Sequence, residues 1–213
     1  EQVEYAKKLN VDVIITDHHV LPSAPPSPYA MVHTTSLCGA GVAWLFCWHL
    51  ISKINPHYKD KLMEKLELAA LATIADLVPL TGANRSIVKT GLEKIDKTKR
   101  PGIKALINQS RITRTIGTYE IGHIIAPRIN AMGRIGHGLD SLRLLCAKNQ
   151  NKADELATLL TRTNSKRQDL TVKAIDHAKS LVVDDHLVGV IAHQSWHEGV
   201  IGLVASRLVE VHH

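Results

Sequence analysis

Thr16-Asp17-His18-His19 closes a run rich in β-branched residues, Val11, Val13, Ile14 and Ile15, and sets one acid and two imidazoles at its end. Such a run predicts a buried parallel strand over 11–16, and in open α/β sheets ligands gather at the carboxyl ends of the strands. Successive side chains leave a strand on opposite sides, so His18 and His19 are free to do different work. One ring can ligate a metal while the other faces substrate, and Asp17 can fix a ring's tautomer. Two histidines alone are too few ligands for a catalytic metal, and the same residues also suit a strand running into a polar turn. Asp76, within Ala72-Thr73-Ile74-Ala75-Asp76-Leu77-Val78-Pro79-Leu80, is expected near a helix C-terminus with apolar neighbours. The helix dipole disfavours an anion there, so a cation would stabilise it; a solvated loop carboxylate before Pro79 is the simpler alternative.

A second set of residues suits anions. Arg128, Asn130 and Arg134 lie in Ala126-Pro127-Arg128-Ile129-Asn130-Ala131-Met132-Gly133-Arg134, near an expected Gly turn. Two guanidinium forks and an amide match phosphate oxygens, although arginines also cap structural carbonyls. Ser195-Trp196-His197-Glu198-Gly199-Val200-Ile201-Gly202 reads as a glycine-bearing strand-to-helix turn whose free N–H groups favour an anion. His197-Glu198 is not a zinc-protease motif, because the position four after His197 is Ile201. No G-x-G-x-x-G or Walker sequence is present, which argues against a nucleotide cofactor. Two basic groups, Lys94, Lys97, Lys99 and Arg100, then Arg111 and Arg114, suit a solvated face or phosphate contact.

The elements that must position these groups follow from periodicity. A helix over 2–9 feeds the strand, and Pro22, Pro25, Pro26 and Pro28 hold a loop over about 21–36. A helix over 42–54 is apolar all round and reads as buried. A helix over 61–75 presents Leu62, Leu66, Ala69, Ala70 and Thr73 on one face. A turn at 82–85 precedes helices over 86–95, 103–108 and 140–147. Residues 153–182 form one long amphipathic helix whose polar middle, 164–169, is expected to be exposed. That pattern suits a bridge between two domains or a surface helix of one. A strand over 186–193 and a helix through 208 complete the reading.

An apolar share of 45% and a charged share of 22% over 213 residues describe a soluble globular protein with room for one sizeable domain and part of another. One Phe and three Trp leave the core to Leu, Ile, Val and Ala. A formal charge of +6 and a pI near 9.3 suit a polyanionic partner or a merely basic surface. Cys38, Cys47 and Cys146 form no C-x-x-C pair, so a reducing cytoplasm with small buried thiols is the simplest inference. The longest strongly apolar stretch, 40–50, is too short to cross a bilayer, and no secretory signal opens the chain. The chain starts and stops within expected helices, which suggests a piece of a longer protein. His212 and His213 are given no role.

Five blocks, in order, then add up to a resemblance: Thr16-Asp17-His18-His19, the Asp76 block, Arg100-Pro101-Gly102-Ile103-Lys104-Ala105-Leu106, the Arg128 to Arg134 block, and Trp196-His197-Glu198-Gly199-Val200-Ile201-Gly202-Leu203-Val204-Ala205-Ser206-Arg207. In this order they resemble the RecJ exonucleases of the DHH phosphoesterase superfamily. The resemblance implies an α/β fold: a DHH-type catalytic domain with a parallel sheet, partial here (1–150), a connecting helix (151–182) and the start of a truncated DHHA1-type α/β domain (183–213), with the active site in the cleft. It implies 5′-to-3′ hydrolysis of single-stranded DNA in recombination and repair, with Mn²⁺ or Mg²⁺ as cofactor. Helicase and single-strand-binding protein are the further partners it suggests.

By motif, His18 and Asp76 would be metal ligands, His19 would contact the scissile phosphate or metal-bound water, and Asp17 would support the histidines. His19, Arg128, Asn130, Arg134, His197, Gly199 and Arg207 would bind phosphate or nucleic acid. The family's earlier aspartate motifs, one of Asp-x-Asp-x-Asp-Gly type, do not occur in these 213 residues. The two-metal site is therefore expected to be incomplete and this polypeptide to hydrolyse little on its own. Two other readings stay open: a small-substrate relative (oligoribonuclease, nucleotide phosphatase or pyrophosphatase), and a non-catalytic single-strand-binding replication scaffold.

Overall fold

The computed structural model describes residues 1–182 and 188–211. They are helix-rich with one parallel two-stranded sheet, an α/β arrangement that divides into two compact units. One unit comprises Glu1–Thr98 with Arg114–Gly122; the other comprises Lys99–Thr113 and the chain from His123 onward. Among the described residues no helix is long and apolar enough to cross a membrane.

The first unit opens with α1 (Gln2–Lys8), closed by a turn in which the Val11 N–H donates to the Ala6 carbonyl. That turn delays β1 to Ile14–Asp17, later than the expected start at 11. β2 (Ala30–His33) pairs with it in parallel, setting Ile14 opposite Ala30 and Asp17 opposite His33. It lies inside the stretch expected to be all loop, because four residues after a proline-rich run give too short a pattern to stand out. β1 is also half-buried rather than buried: Ile14 is 55% exposed.

Next come α2 (Gly39–Ile54), a 3₁₀ turn (Pro56–Tyr58), α3 (Lys59–Met63), α4 (Leu66–Ala75) and α5 (Gly82–Ile95). The expected helix over 61–75 is thus two helices, broken at Glu64-Lys65, and the expected turn at 82–85 is the first turn of α5. Leu37, Val42, Leu66, Ala69, Ala70 and Ile87 form the core of this unit. α4 and α5 pack so closely that a Cβ on Gly91 would collide with that of Ala70. α2 buries only Gly41 and Val42 and leaves Leu50 and Ile54 exposed, so it is not apolar-packed all round.

The second unit is built on α6 (Pro101–Gln109), α7 (Ala126–Ile135), α8 (Gly138–Leu145), the 30-residue α9 (Gln150–Lys179) and α10 (Glu198–Val211). α9 packs against all four of the others. Ile103, Leu106, Leu144 and Leu160 are fully buried. The middle of α9 is not simply exposed, because Asn164 is buried and Arg167 half-buried. Residues 188–193 are irregular where a strand was expected, with no neighbouring strand to pair with among the described residues; 186–187 lie outside them.

Candidate functional site

Strand register brings the acid and imidazoles together at the end of the sheet. Asp17 is the last residue of β1, and its Oδ1 accepts the Nδ1–H of His19 at 2.8 Å. Hydrogen bonding to the His19 ring, then to the His18 amide, holds the Asp17 carboxyl down at about 2. The same bond raises His19 above its ordinary value, and the contact becomes an ion pair when the ring is protonated. His33, opposite Asp17 on β2, donates its Nε2–H to the His19 carbonyl at 2.7 Å and so fixes the turn. His18 lies past the last residue of β1, where strand alternation no longer dictates its direction. Its Nδ1 stands 3.5 Å from the Oδ2 of Asp76, and its ring centroid is 4.4 Å from that of His19.

Asp76 is the C-cap of α4, and its N–H donates to the Ala72 carbonyl. Leu77 follows in the left-handed region with φ of 57° and turns the chain away while 86% exposed. A half-exposed carboxylate at a helix C-terminus faces the negative end of the dipole, and His18 supplies the compensating group. α4 is keyed to α2 through Cys38. The Thr73 hydroxyl donates to the Ala69 carbonyl at 2.7 Å, which leaves the Cys38 thiol to donate to Thr73 Oγ1 at 3.4 Å. The same sulfur caps α2 by accepting the Gly41 N–H. Asn84 gives its amide hydrogens to the Ser36 and Pro79 carbonyls at 2.8 and 2.9 Å, tying together the loops that flank the pair.

His18 and Asp76 are close enough to bind one divalent ion at bond lengths of about 2.1 Å, and imidazole nitrogen with carboxylate oxygen suits manganese. Among the described residues no group of three or more His, Cys, Asp or Glu is placed to hold a metal. The residues present therefore fit as part of a ligand set. His33, Cys38 and Asn84 escaped the sequence reading, and only the short apolar run ending at His33 could have pointed to any of them.

In the second unit Arg134 and Gly199 meet where α7 and α10 touch. The Arg134 Nη1 donates to the Gly199 carbonyl at 3.3 Å, and a Cβ on Gly199 would overlap the Arg134 carbonyl. His197 Nδ1 accepts the Gly199 N–H at 3.0 Å, so that amide is not free for an anion as the turn suggested. Gly133 lies inside α7 rather than in a turn, because the helix continues to Ile135. The half-buried Arg128 donates to the Ile124 carbonyl at 2.5 Å, the carbonyl-capping alternative, and burial lowers its guanidinium. Asn130 is exposed on α7, and Arg207 pairs with Glu210 along α10.

No family profile matches the chain. The single-stranded-DNA-specific exonuclease RecJ of Bacillus subtilis is 37% identical over 98% of this chain and 27% of its own length. That of Thermus thermophilus is 36% identical over 94% of this chain and 30% of its own, and that of Escherichia coli 33% identical over 99% and 41%. The chain thus spans between about a quarter and two-fifths of these curated relatives. A crystal structure of exonuclease RecJ bound to manganese superposes with a TM-score of 0.88 at 34% identity, covering 98% of this chain and 55% of that one. RecJ of Thermus thermophilus in complex with Mn²⁺ gives the same TM-score and identity over 98% of this chain and 33% of that one. With sequence identity of a third or more and a shared fold, the chain is similar to RecJ exonucleases along nearly all its residues.

Proposed function

We propose that this chain is part of an exonuclease that hydrolyses single-stranded DNA from the 5′ end in recombination and repair, using Mn²⁺ or Mg²⁺. The observation that carries the reading is the 3.5 Å approach of His18 Nδ1 to Asp76 Oδ2. In this reading the two side chains are ligands of one ion, and the remaining carboxylates come from beyond these 213 residues. The chemistry supplied by bound ions is activation of water and neutralisation of charge developing on the phosphate. Asp17 keeps the Nδ1 proton on His19 and raises its basicity, which leaves the exposed Nε2 edge to donate to a phosphate oxygen. Arg128, Asn130, Arg134, His197 and Arg207 are proposed phosphate contacts in the second unit; Gly199, whose amide and carbonyl are both engaged, is not.

The relatives' names support single-stranded DNA as substrate, and manganese in the superposed RecJ crystal structures supports the metal. Three free cysteines fit a reducing cytoplasm. A helicase or single-strand-binding protein is the partner class we propose. The test is nucleotide release by the full-length parent from a 5′-labelled single strand in Mn²⁺, with and without chelator. Cleavage in the presence of chelator, or preference for duplex, overturns the reading.

A further inference from the structure

We infer that the strand leading to the metal lays one base in a cavity between Leu80 and α5, with Arg85 and Lys89 on its phosphates; the inference rests on the function proposed above. The cavity lies within the first unit, measures about 180 Å³ and is lined by Leu80, Arg85, Val88 and Lys89. Its lining is almost wholly apolar. Pockets that take a whole cofactor run to roughly 300–1,000 Å³, so this one has room for a single flat ring. Its nearness to the metal pair follows from the chain. Leu80 is four residues after Asp76, and four residues reach no more than about 14 Å.

The two walls of the cavity are tied to each other. Asn84, buried in the first turn of α5, donates to the Pro79 carbonyl at 2.9 Å, and the Thr81 N–H donates to the same oxygen at 2.9 Å. The loop is thus set before a ligand arrives. Leu80, 36% exposed, and Val88, 5% exposed, supply carbon surface, and covering it with the face of a base removes both from water. Such a surface carries no groups that tell bases apart, which suits a strand of any sequence. Arg85 and Lys89 are exposed and one turn apart on α5, about 6 Å along its axis. Both line the same cavity, and like charges at this spacing oppose each other until an anion joins them. An apolar slot rimmed by two cations matches a nucleotide, its base in the slot and its phosphates at the rim.

The shared chemistry is a nucleotide, and one within a strand is distinguished from a free one as follows. Binding of fluorescein-labelled oligodeoxythymidylates to the full-length parent is measured by anisotropy over a salt series, in chelator so that no strand is cut. Each strand of a set carries one abasic site, at successive positions. At one position the missing base should weaken binding to the parent about 5- to 10-fold. In Leu80→Ala that penalty should shrink to less than about twofold, because the base and its contact are then removed together. Lys89→Gln should flatten the logarithmic salt slope by about 0.7, the share of one phosphate on a single strand. A parent with no such position, a penalty undiminished in Leu80→Ala, or an unchanged slope in Lys89→Gln overturns the inference. Lys89 is exposed, so Lys89→Gln decides by itself if Leu80→Ala does not fold. Thymidine monophosphate that raises the melting temperature of the parent but not of Leu80→Ala, with strand binding equal in the two, shows a free-nucleotide site and also overturns it. If the parent binds strands with a steep salt slope and both variants match it, only this cavity is misassigned. If the parent does not bind single strands at all, the proposed function falls and this inference with it.

Discussion

The Nδ1 of His18, just past the end of β1, lies 3.5 Å from the Oδ2 of Asp76 at the C-cap of α4. Neither residue could hold the other from its own element. The approach depends on the Cys38–Thr73 contact that keys α2 to α4, and on Asn84, which ties the chain before α2 to the chain after Asp76. A pair built by contacts so distant in sequence is a structural commitment of the fold to placing these two groups side by side.

His18→Ala and Asp76→Asn should each lower hydrolysis by the full-length parent more than roughly 100-fold, beyond the loss usual for groups that only support a metal ligand. Both side chains are partly exposed, 22% and 44%, so melting temperatures should hardly move. A variant with near-parental turnover sinks the metal assignment. The isolated 213-residue polypeptide, with no group of three ligands among its described residues, should take up Mn²⁺ only weakly in a calorimetric titration.

Asp17→Asn tests the supporting acid. Asp17 anchors the His19 ring by a 2.8 Å bond. An amide in its place can still accept a hydrogen bond but no longer stabilises the charged ring, so activity should fall about 10- to 100-fold. His33→Ala removes only the tie to the His19 carbonyl and should cost less. Equal losses in the two variants contradict this ranking.

What was legible beforehand and what was not divide along physical lines. The chemistry of Asp17, His18 and His19 could be read from three letters but the directions of the two rings could not, because both lie past the end of β1, where alternation no longer applies, and their centroids come to 4.4 Å. The C-cap position of Asp76 followed from the apolar face that precedes it. His33 was hidden because β2 is only four residues long. In the middle of α9 Ser165, Lys166, Gln168 and Asp169 are exposed as expected, but Asn164 is buried and Arg167 half-buried, because polarity along a helix does not tell which groups a neighbouring helix covers. Gly133 looked like a turn because a lone glycine in a helix costs only about 1 kcal/mol, a penalty the packing of α7 outweighs.

Leu77 holds a left-handed φ of 57° that non-glycine residues adopt at a cost, and its side chain buries almost nothing. Leu77→Gly should therefore raise stability by about 0.5–1 kcal/mol, the relief of the left-handed strain less the added freedom of the unfolded chain. Leu77→Val should lower it, since a β-branched residue tolerates that region worse. Gly91→Ala makes the contrasting case. Its methyl group meets Ala70 in a packed core, and a loss of about 1–3 kcal/mol is expected in urea unfolding. A stabilised Gly91→Ala means that α4 and α5 do not approach as described.

Glu120 sets an acid limit on the first unit. Its buried carboxylate accepts the Gly117 N–H at 2.9 Å and pairs with Arg114, whose guanidinium also lies over the Tyr119 ring. The Gly117 amide first, then its own amide and Arg114, hold the carboxyl below its ordinary value of 4.5. A folded value below the unfolded one means that folding favours the ionised form. The contribution is whole above 4.5 and is lost as pH falls through the lowered folded value. Glu120→Gln, which keeps an acceptor for Gly117 but no charge for Arg114, should unfold at lower urea than the parent at pH near 7. The gap should close as the pH is taken down through the lowered folded value, where the parent's own carboxyl is protonated. Paired urea titrations of the two proteins over that range read this directly, and a gap that stays constant across it removes Glu120 as the titrating group.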